Sequence, residues 1–270
     1  VILMSLDERS KLLRRYVIDA MRGGGRGHLG SSMSMIEILR VLYDSILSID
    51  PKNPQSIDRD RFILSKGHGC LALYAILADR GFFPINELGS FCRPTSILGG
   101  HPERGKIPGV EASTGALGHG LPIGVGISVA MRLAGNASRV FVLTGDGEIN
   151  EGSNWEALMA AAKHKLSNLT VIVDYNKLQS YGRTVDVLDL EPLKDKCTSF
   201  GLATHEVDGH DLNALESIFK KLPFEKDSPS AIICHTIKGK GFLFAEGNPE
   251  WHHKSGMTES DIQRMYDCLR

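Results

Sequence analysis

The 270-residue sequence lacks several features that would each place a protein in a particular class. No stretch is apolar for the roughly 20 residues that a membrane-spanning helix needs. The formal net charge is −1, whereas a general nucleic-acid surface requires an excess of positive charge. Internal repeats, low-complexity tracts and linker-like segments are absent as well. We therefore expect one globular domain over residues 1–270, with no membrane and no nucleic-acid partner.

Cysteine is scarce, and its pattern excludes two further classes of protein. The five cysteines are scattered, and none forms a Cys-x-x-Cys pair. An odd, scattered set indicates neither a disulfide framework nor a zinc site. The first residues show neither the basic segment nor the apolar core of a secretory signal. These features predict a cytoplasmic protein with reduced thiols.

What the sequence does contain is a regular alternation of short apolar runs with helical patterns. The apolar runs lie at 62–64, 140–143, 171–173 and 231–234, and strands are expected at 61–64 and 202–207 as well as at the other runs. Such alternation is typical of parallel sheets, whose strands are connected by helices that cover the sheet. We predict an α/β fold with a doubly wound, mainly parallel sheet and helices on both faces.

Several helix boundaries can be predicted from capping signals. Residues 6–22 form an amphipathic pattern that ends at three consecutive glycines. Ser34–Glu37 and Thr258–Asp261 both fit the capping box, so we expect helices to begin there, the first of them running to about Leu47. Asp211 is the expected N-cap of a helix over 211–222.

The most informative stretch is Gly145-Asp146-Gly147, which follows the apolar run at 140–143. Asn176 follows the next apolar run. Because ligands bind at the carboxyl ends of parallel strands, both side chains are expected at one edge of the sheet. Carboxylate and amide oxygens suit Mg²⁺ or Ca²⁺, and Mg²⁺ usually completes its shell with phosphate oxygens. The pattern favours a metal-bridged diphosphate site over a structural turn with a capping asparagine.

Histidines stand in glycine-rich segments at several points. His28 lies among Gly25, Gly27 and Gly30, which fit the dinucleotide pattern GxGxxG. A helical pattern precedes these glycines, where that motif requires a strand, so we disfavour dinucleotide binding. His68 lies between two glycines at a strand-to-helix junction. These positions suggest an irregular, ligand-facing surface, although each histidine alone is equally compatible with a packing role.

A long irregular segment at 81–112 carries His101 after two glycines. Irregular segments of this length are usually functional or mobile. Glycines at 115, 118 and 120 then lead into a helix of small residues. Their spacing predicts that a ligand or another chain packs directly on the backbone there.

In chain order, these segments resemble the N-terminal, diphosphate-binding half of a transketolase. The matching segments are 27–30, 65–69, 100–103, 113–118, 145–176, and 236–241 with Trp251 and His252. The resemblance covers nearly the whole chain and implies a thiamine diphosphate-binding fold. It also implies thiamine diphosphate and Mg²⁺ (or Ca²⁺) as cofactors.

The resemblance implies roles for individual residues. Asp146, Asn176 and the backbone carbonyl of Leu178 would hold the metal. The implied cofactor-binding residues are His68, Gly115, Leu117, Gly145, Asp146, Gly147, Glu151 and Asn176. Within this set, Glu151 falls at a family position near the dimer contact.

The implied catalytic residues are all histidines. His28 and His252 would exchange protons with the hydroxyl and carbonyl oxygens of the donor sugar. His101 would hydrogen-bond the donor's first hydroxyl group. His253 competes with His252 for its role, because the adjacent pair is ambiguous. Imidazole suits such exchange near neutral pH.

The implied activity is transfer of a two-carbon ketol unit from a ketose phosphate to an aldose or aldose phosphate. In this family the pyrimidine-binding domain carries the activating glutamate and most arginines that hold the sugar phosphate. The chain contains no match to that domain. We therefore expect a C-terminal partner subunit, a heterotetramer with the cofactor between unlike chains, and no activity of this chain alone.

Two alternatives remain at this point. The chain resembles, less closely, a component of another thiamine diphosphate enzyme, either a 2-oxoacid dehydrogenase or a deoxyxylulose-phosphate synthase. The metal motif fits these enzymes, but the histidine segments are not expected in them in this order. A non-catalytic module that keeps the fold is disfavoured, because the metal motif and the histidines are intact. The donor and acceptor sugars stay open.

Overall fold

The computed structural model describes residues 6–180 and 182–270. Its strands are β1 (Arg26–Gly27), β2 (Arg61–Leu64), β3 (Val140–Gly145), β4 (Leu169–Tyr175), β5 (Ala203–Asp208), β6 (Ser230–His235) and β7 (Lys254–Ser255). Its α-helices are α1 (Glu8–Gly24), α2 (Leu29–Met33), α3 (Ile36–Val41), α4 (Cys70–Asp79), α5 (Gly120–Leu133), α6 (Asp146–Ile149), α7 (Gly152–Lys163), α8 (Thr184–Val187), α9 (Leu193–Ser199), α10 (Leu212–Phe219) and α11 (Glu259–Asp267). Among the helices described, none combines the length and apolar character that crossing a bilayer requires.

Five strands form one parallel sheet in the order β2-β3-β4-β6-β5. The predicted parallel α/β fold is confirmed. Gly145 is in register with Asp174, and Tyr175 with His235, so β3, β4 and β6 end at nearly the same level. A separate antiparallel pair of β1 and β7 brings Arg26 beside Ser255. This pair holds the glycine-rich segment around His28 against the segment around His252.

Successive side chains of the central strands pack into different apolar clusters. Phe141 and Leu143 join the cluster formed with α1, α3, α4 and α10, whereas Val140 and Val142 join the one formed with α5 and α7. Because side chains alternate between the two faces of a strand, the sheet is covered by helices on both sides. The strands read as continuous apolar runs for this reason.

One predicted capping box is wrong. Ser34 has helical backbone angles and makes no cap for the helix that follows. Its hydroxyl instead donates to the buried Asp174 carboxylate at 2.5 Å. Helix α3 ends at Val41, and a π-helical turn (Leu42–Ile46) completes the predicted span. The residues at 34–37 match the capping-box pattern, but the Ser34 hydroxyl is hydrogen-bonded to a distant side chain and does not cap α3.

The other capping predictions are confirmed. Thr258 and Asp261 form a reciprocal capping box at the start of α11. The Asp211 side chain accepts hydrogen bonds from the backbone N–H groups of Asn213 and Ala214. Both caps lie at exposed helix ends, where the first backbone N–H groups need acceptors from nearby side chains. Helix α1 has an N-cap that the sequence analysis did not assign, with Asp7 accepting from the Ser10 N–H.

A buried ionic network joins α1, α3 and the segment after β5, and a hydrogen bond ties it to the segment after β6. Arg14 donates to both carboxylate oxygens of Glu37, at 2.6 and 3.1 Å. His210 Nδ1 lies 3.0 Å from the same carboxylate, while its Nε2 accepts from the Ile237 N–H at 2.8 Å. Burial raises the pKa of Glu37, but Arg14 and His210 outweigh it and lower the pKa to about 2.

We expect Glu37→Gln to destabilise the protein near neutral pH, by about 3 kcal/mol, because it leaves the buried Arg14 uncompensated. The folded-state pKa lies below the ordinary value of 4.5, so the carboxylate contributes stability above pH 4.5. That contribution is lost as the pH falls towards 2. Urea unfolding at a series of pH values should show the wild-type and variant free energies converging on acidification. Exposed Glu8→Gln is the matched control, and an unchanged gap at low pH would contradict the prediction.

Candidate active site

The ends of β3 and β4 form one wall of a cavity of about 200 Å³. Asp146 follows β3 and Asn176 follows β4, and both line the cavity, as predicted from their positions after parallel strands. The other predicted residues that line it are His68, Leu117, Gly145, Gly147, Glu151, Leu178 and His252. The structure therefore brings together most residues that the sequence singled out.

Asp146 is a buried carboxylate with few compensating charges. It is 3% exposed, and it accepts hydrogen bonds from the N–H groups of Gly147 (2.7 Å) and Lys177 (2.5 Å). Burial and the nearby Asp174 carboxylate raise its pKa to about 6. A carboxylate whose charged form is disfavoured in this way is suited to bind a cation.

The donor set fits a metal that takes part of its shell from a ligand. In the described residues, no group of three or more His, Cys, Asp or Glu side chains is arranged to hold an ion. Asp146, Asn176 and the Leu178 carbonyl offer only oxygen atoms, the preferred donors of Mg²⁺ and Ca²⁺. Such a partial protein shell suits an ion completed by phosphate oxygens and water.

Two lysines lie in the cavity wall that sequence reasoning did not assign. Lys238 Nζ donates to the Leu178 carbonyl at 2.8 Å, and burial lowers its pKa to about 8. Lys66 is 1% exposed, and its Nζ donates to the Ser31 carbonyl at 2.7 Å. Both lysines follow strand ends in segments that sequence analysis had noted. Lys66 is also paired with the buried Asp174 carboxylate, so Lys238 is the lysine whose positive charge is available to a bound diphosphate.

Two buried polar atoms in the cavity wall have no partner in the described part of the chain: Gln179 Nε2 and His252 Nδ1. A buried polar group without a hydrogen bond costs about 1–3 kcal/mol. Such atoms are expected where a polar ligand supplies the missing partner. The cavity thus combines an uncompensated carboxylate, two lysines and unpaired polar atoms, which fits a cation and an anionic cofactor.

Four of the predicted histidines form a cluster. The ring centroid of His28 lies 5.4 Å from those of His68 and His252 and 4.6 Å from that of His253. His101 lies beside Gly115, where a Cβ atom would stand 2.9 Å from the His101 ring. Side chains of this chain therefore approach the glycines at 115, 118 and 120 closely, and the expectation that a ligand or another chain also packs there stays a prediction.

The environment keeps these imidazoles neutral. Burial, reinforced by the neighbouring histidines, lowers the pKa of His28 to about 3. Burial and the charge of Lys238 lower the pKa of His252 to about 4. Burial is also the main cause that lowers the pKa of His68 well below its ordinary value. At neutral pH each ring therefore has one N–H donor and one acceptor nitrogen.

The structure distinguishes between the adjacent residues His252 and His253, whose roles the sequence alone left ambiguous. His252 lines the cavity, and its Nε2 lies 3.0 Å from the Ser180 hydroxyl. His253 is exposed and is not among the residues that line the cavity, and its ring contacts that of His28 at an interplanar angle of 54°. This geometry favours His252 for contact with a ligand.

Glu148 is a further buried residue that sequence reasoning missed. Its carboxylate accepts hydrogen bonds from the Ser65 hydroxyl (2.5 Å) and from the N–H groups of Gly118 (3.0 Å) and Gly145 (3.1 Å). One side chain thereby joins the end of β2, the segment before α5 and the end of β3. Its position directly after the Gly145-Asp146-Gly147 motif is the feature of the sequence that could have indicated it.

The family profile described as the thiamine diphosphate-binding domain of transketolase matches residues 7–269. The chain belongs to the transketolase family. It is thus a component of a transferase, and thiamine diphosphate is confirmed as its cofactor. The predicted family resemblance and the thiamine diphosphate-binding fold are confirmed with it.

Among individual transketolases, an apulose-4-phosphate transketolase subunit of Actinobacillus succinogenes is 44% identical over 251 residues, 92% of this chain and 90% of that protein. The 6-deoxy-6-sulfo-D-fructose transketolase subunit SqwG of a Clostridium species is 38% identical over 250 residues, 93% of this chain and 91% of that protein. The solved transketolase of Leishmania mexicana superposes with a TM-score of 0.90 at 30% identity. The alignment covers 99% of this chain and 41% of the Leishmania one, so this chain spans about two fifths of that single-chain transketolase.

Proposed function

We propose that this chain is the N-terminal, diphosphate-binding subunit of a two-chain transketolase. With a C-terminal partner it would transfer a two-carbon ketol unit from a ketose phosphate to an aldose or aldose phosphate. The observation that carries this proposal is the meeting of Asp146 and Asn176 with His28, His68 and His252 at one edge of the sheet. This combination provides a metal-diphosphate site and proton-transferring groups side by side.

Asp146, Asn176 and the Leu178 carbonyl would hold Mg²⁺ (or Ca²⁺). Lys238, which now contacts that carbonyl, would then face the diphosphate. The residues proposed to contact the cofactor are His68, Gly115, Leu117, Gly145, Gly147 and Glu151, with Lys66 close behind them. Thiamine diphosphate, when bound, supplies the carbanion and the electron sink.

The chain's own contribution to chemistry is the movement of protons on the donor sugar. His28 and His252 would act on its hydroxyl and carbonyl oxygens, and His101 would hydrogen-bond its first hydroxyl group. Their lowered pKa values keep His28 and His252 neutral at physiological pH, so each imidazole would present one acceptor nitrogen and one N–H donor to the sugar oxygens.

The relatives that this chain matches over nearly their whole length support the proposal of a partner chain. Two of them are named as apulose-4-phosphate transketolase subunits, and this chain covers 90% and 88% of those proteins. We propose that residues 1–270 form one transketolase N-terminal domain and that a C-terminal, pyrimidine-binding subunit completes it. The assembly would be a heterotetramer with the cofactor between unlike chains.

The named substrates of these relatives are apulose 4-phosphate and 6-deoxy-6-sulfo-D-fructose. Both carry an anionic group, a phosphate in one and a sulfonate in the other. We propose a donor of this kind for the assembly, a ketose that ends in a phosphate or sulfonate.

The direct test is a ketol-transfer assay on a mixture of this chain with its C-terminal subunit, thiamine diphosphate and Mg²⁺. Xylulose 5-phosphate, apulose 4-phosphate and 6-deoxy-6-sulfofructose serve as donors and ribose 5-phosphate or glyceraldehyde 3-phosphate as acceptors. We expect activity in the mixture and none with either chain alone. Activity of this chain by itself would contradict the two-chain proposal.

We expect Asp146→Ala to abolish Mg²⁺-dependent binding of thiamine diphosphate by the assembled protein, because the only carboxylate proposed to hold the ion is removed. Calorimetric titration with and without Mg²⁺ measures the loss. Asp227→Ala, which removes an exposed carboxylate from a distant loop, is the control. Normal Mg²⁺-dependent binding by Asp146→Ala would refute the metal assignment.

His28→Ala is expected to leave cofactor affinity nearly unchanged and to lower kcat by about 10²–10⁴, the usual contribution of a general acid–base group. Steady-state kinetics and cofactor titration on one preparation separate the two effects. The exposed His164→Ala provides the control. A variant with full turnover would remove His28 from the proposed mechanism.

A further inference from the structure

A second cavity, of about 370 Å³, lies at the opposite edge of the sheet. Strand β2 begins at Arg61, which lines this cavity, and its other end leads to Lys66 in the candidate active site. The wall consists of residues from 54–61 and the segment 104–111, and it shares no residue with the cofactor cavity. We call it the basic pocket, and nothing in the proposed ketol transfer uses it.

Positive charge dominates the side chains of the basic pocket. Arg59, Arg61, Arg104 and Lys106 line it, and Glu111 is the one carboxylate among its lining residues. Both Arg59 and Arg61 contact the Glu111 carboxylate. Arg59 donates a hydrogen bond to it, and Arg61 Nε lies 3.6 Å from one of its oxygens. Two arginine side chains, 12% and 14% exposed, therefore share one counter-charge.

The neighbouring acidic groups do not balance this charge. Asp60 is buried, and its carboxylate is engaged by Arg139 at 2.7 Å. Glu103 contacts Lys106 at 3.3 Å, but both side chains are about half exposed, so the pair is weak. Asp58 is exposed in the adjoining turn.

Several donors at the basic pocket remain free while others fix its shape. Arg59 Nε donates to the Pro54 carbonyl at 2.7 Å, and Arg61 Nη2 donates to the Ser56 carbonyl at 3.1 Å. In contrast, within residues 6–180 and 182–270 Arg59 Nη2, Arg61 Nε and the Arg104 guanidinium make no hydrogen bond. The arginines are thus held in place with part of their donor capacity unused.

The backbone adds donors of its own. Gly105 and Gly109 both have left-handed backbone angles, with φ of +83° and +85°. Over the described part of the chain, their N–H groups have no hydrogen-bond acceptor. Free backbone N–H groups in turns of this kind, combined with cationic side chains, form anion-binding concavities.

We propose that the basic pocket binds a phosphorylated small molecule through its phosphate group. Guanidinium groups bind phosphate by paired, charge-assisted hydrogen bonds, which a lysine alone does not provide. The volume lies in the range of small-molecule sites, and a single phosphate ion would leave most of it unfilled. Inorganic phosphate offers the same charged group, so the experiment must compare the two. This proposal does not depend on the proposed ketol transfer.

The test is an amide ¹H–¹⁵N NMR titration of the full chain with ribose 5-phosphate and with inorganic phosphate, at constant ionic strength set by chloride. We expect saturable shifts at Gly105, Lys106 and Gly109. The amides of Gly145 and Gly147 report separately on anions that enter the cofactor cavity.

The double variant Arg104→Ser, Lys106→Ser removes two exposed cations without touching the buried arginines, and it should weaken binding at least about tenfold. Lys221→Ser with Lys226→Ser removes the same charge from an exposed surface elsewhere and should leave affinity unchanged. A stronger affinity for ribose 5-phosphate than for phosphate supports the proposal.

Each of the following results would overturn the proposal. The first is a set of shifts confined to Gly145 and Gly147, which would assign all anion binding to the cofactor cavity. The second is a linear response that chloride reproduces, which is charge screening. The third is unchanged affinity in the Arg104/Lys106 double variant, or an affinity for inorganic phosphate that equals or exceeds that for the sugar phosphate.

Discussion

A buried ion pair between Lys66 and Asp174 is the interaction on which the candidate active site depends. The two side chains are 2% and 0% exposed, and they join the ends of β2 and β4. The Asp174 carboxylate also accepts hydrogen bonds from the hydroxyls of Ser34 and Thr236. Four segments that carry site residues are thereby tied to one carboxylate. Removing either charge would leave the other buried and uncompensated, which costs about 3–5 kcal/mol.

This pair also explains why two buried aspartates so close together behave differently. Asp174 has its own ammonium group; burial raises its pKa, but Lys66 and the hydroxyl donors outweigh that effect and lower it. Asp146 has no such partner, and burial together with Asp174 raises its pKa. The first carboxylate is therefore satisfied by the protein, whereas the second retains capacity for a cation. The same low-dielectric surroundings hold His28 and His252 neutral, so one environment prepares both the proposed metal site and the proposed proton carriers.

The two edges of the sheet differ in kind. At the carboxyl ends of the strands, the buried Asp146 carboxylate has capacity for a cation, and Lys238 lies where it could face a diphosphate. At the amino end of β2, arginines share a single carboxylate around the basic pocket. Parallel sheets place functional groups mainly at the first edge, because the glycine-rich turns that follow the strands lie there. The second edge carries the connections between elements, and the charged cavity among them is the basis of the phosphate-binding proposal.

The sequence by itself determined the parallel α/β sheet, because apolar runs that alternate with helical patterns are visible along the chain. The shared edge of parallel strands then placed Asp146 and Asn176 at one cavity. The strand at 61–64 and the caps at Asp211 and Thr258 were likewise visible along the chain. Tertiary structure decided the rest. Ser34 bonds Asp174, 140 residues away, in place of its predicted cap, and Lys66 contacts the same carboxylate across 108 residues. The choice between His252 and His253 likewise depended on which ring packs into the cavity. Such contacts follow from the packing of distant segments, and no spacing along the chain encodes them.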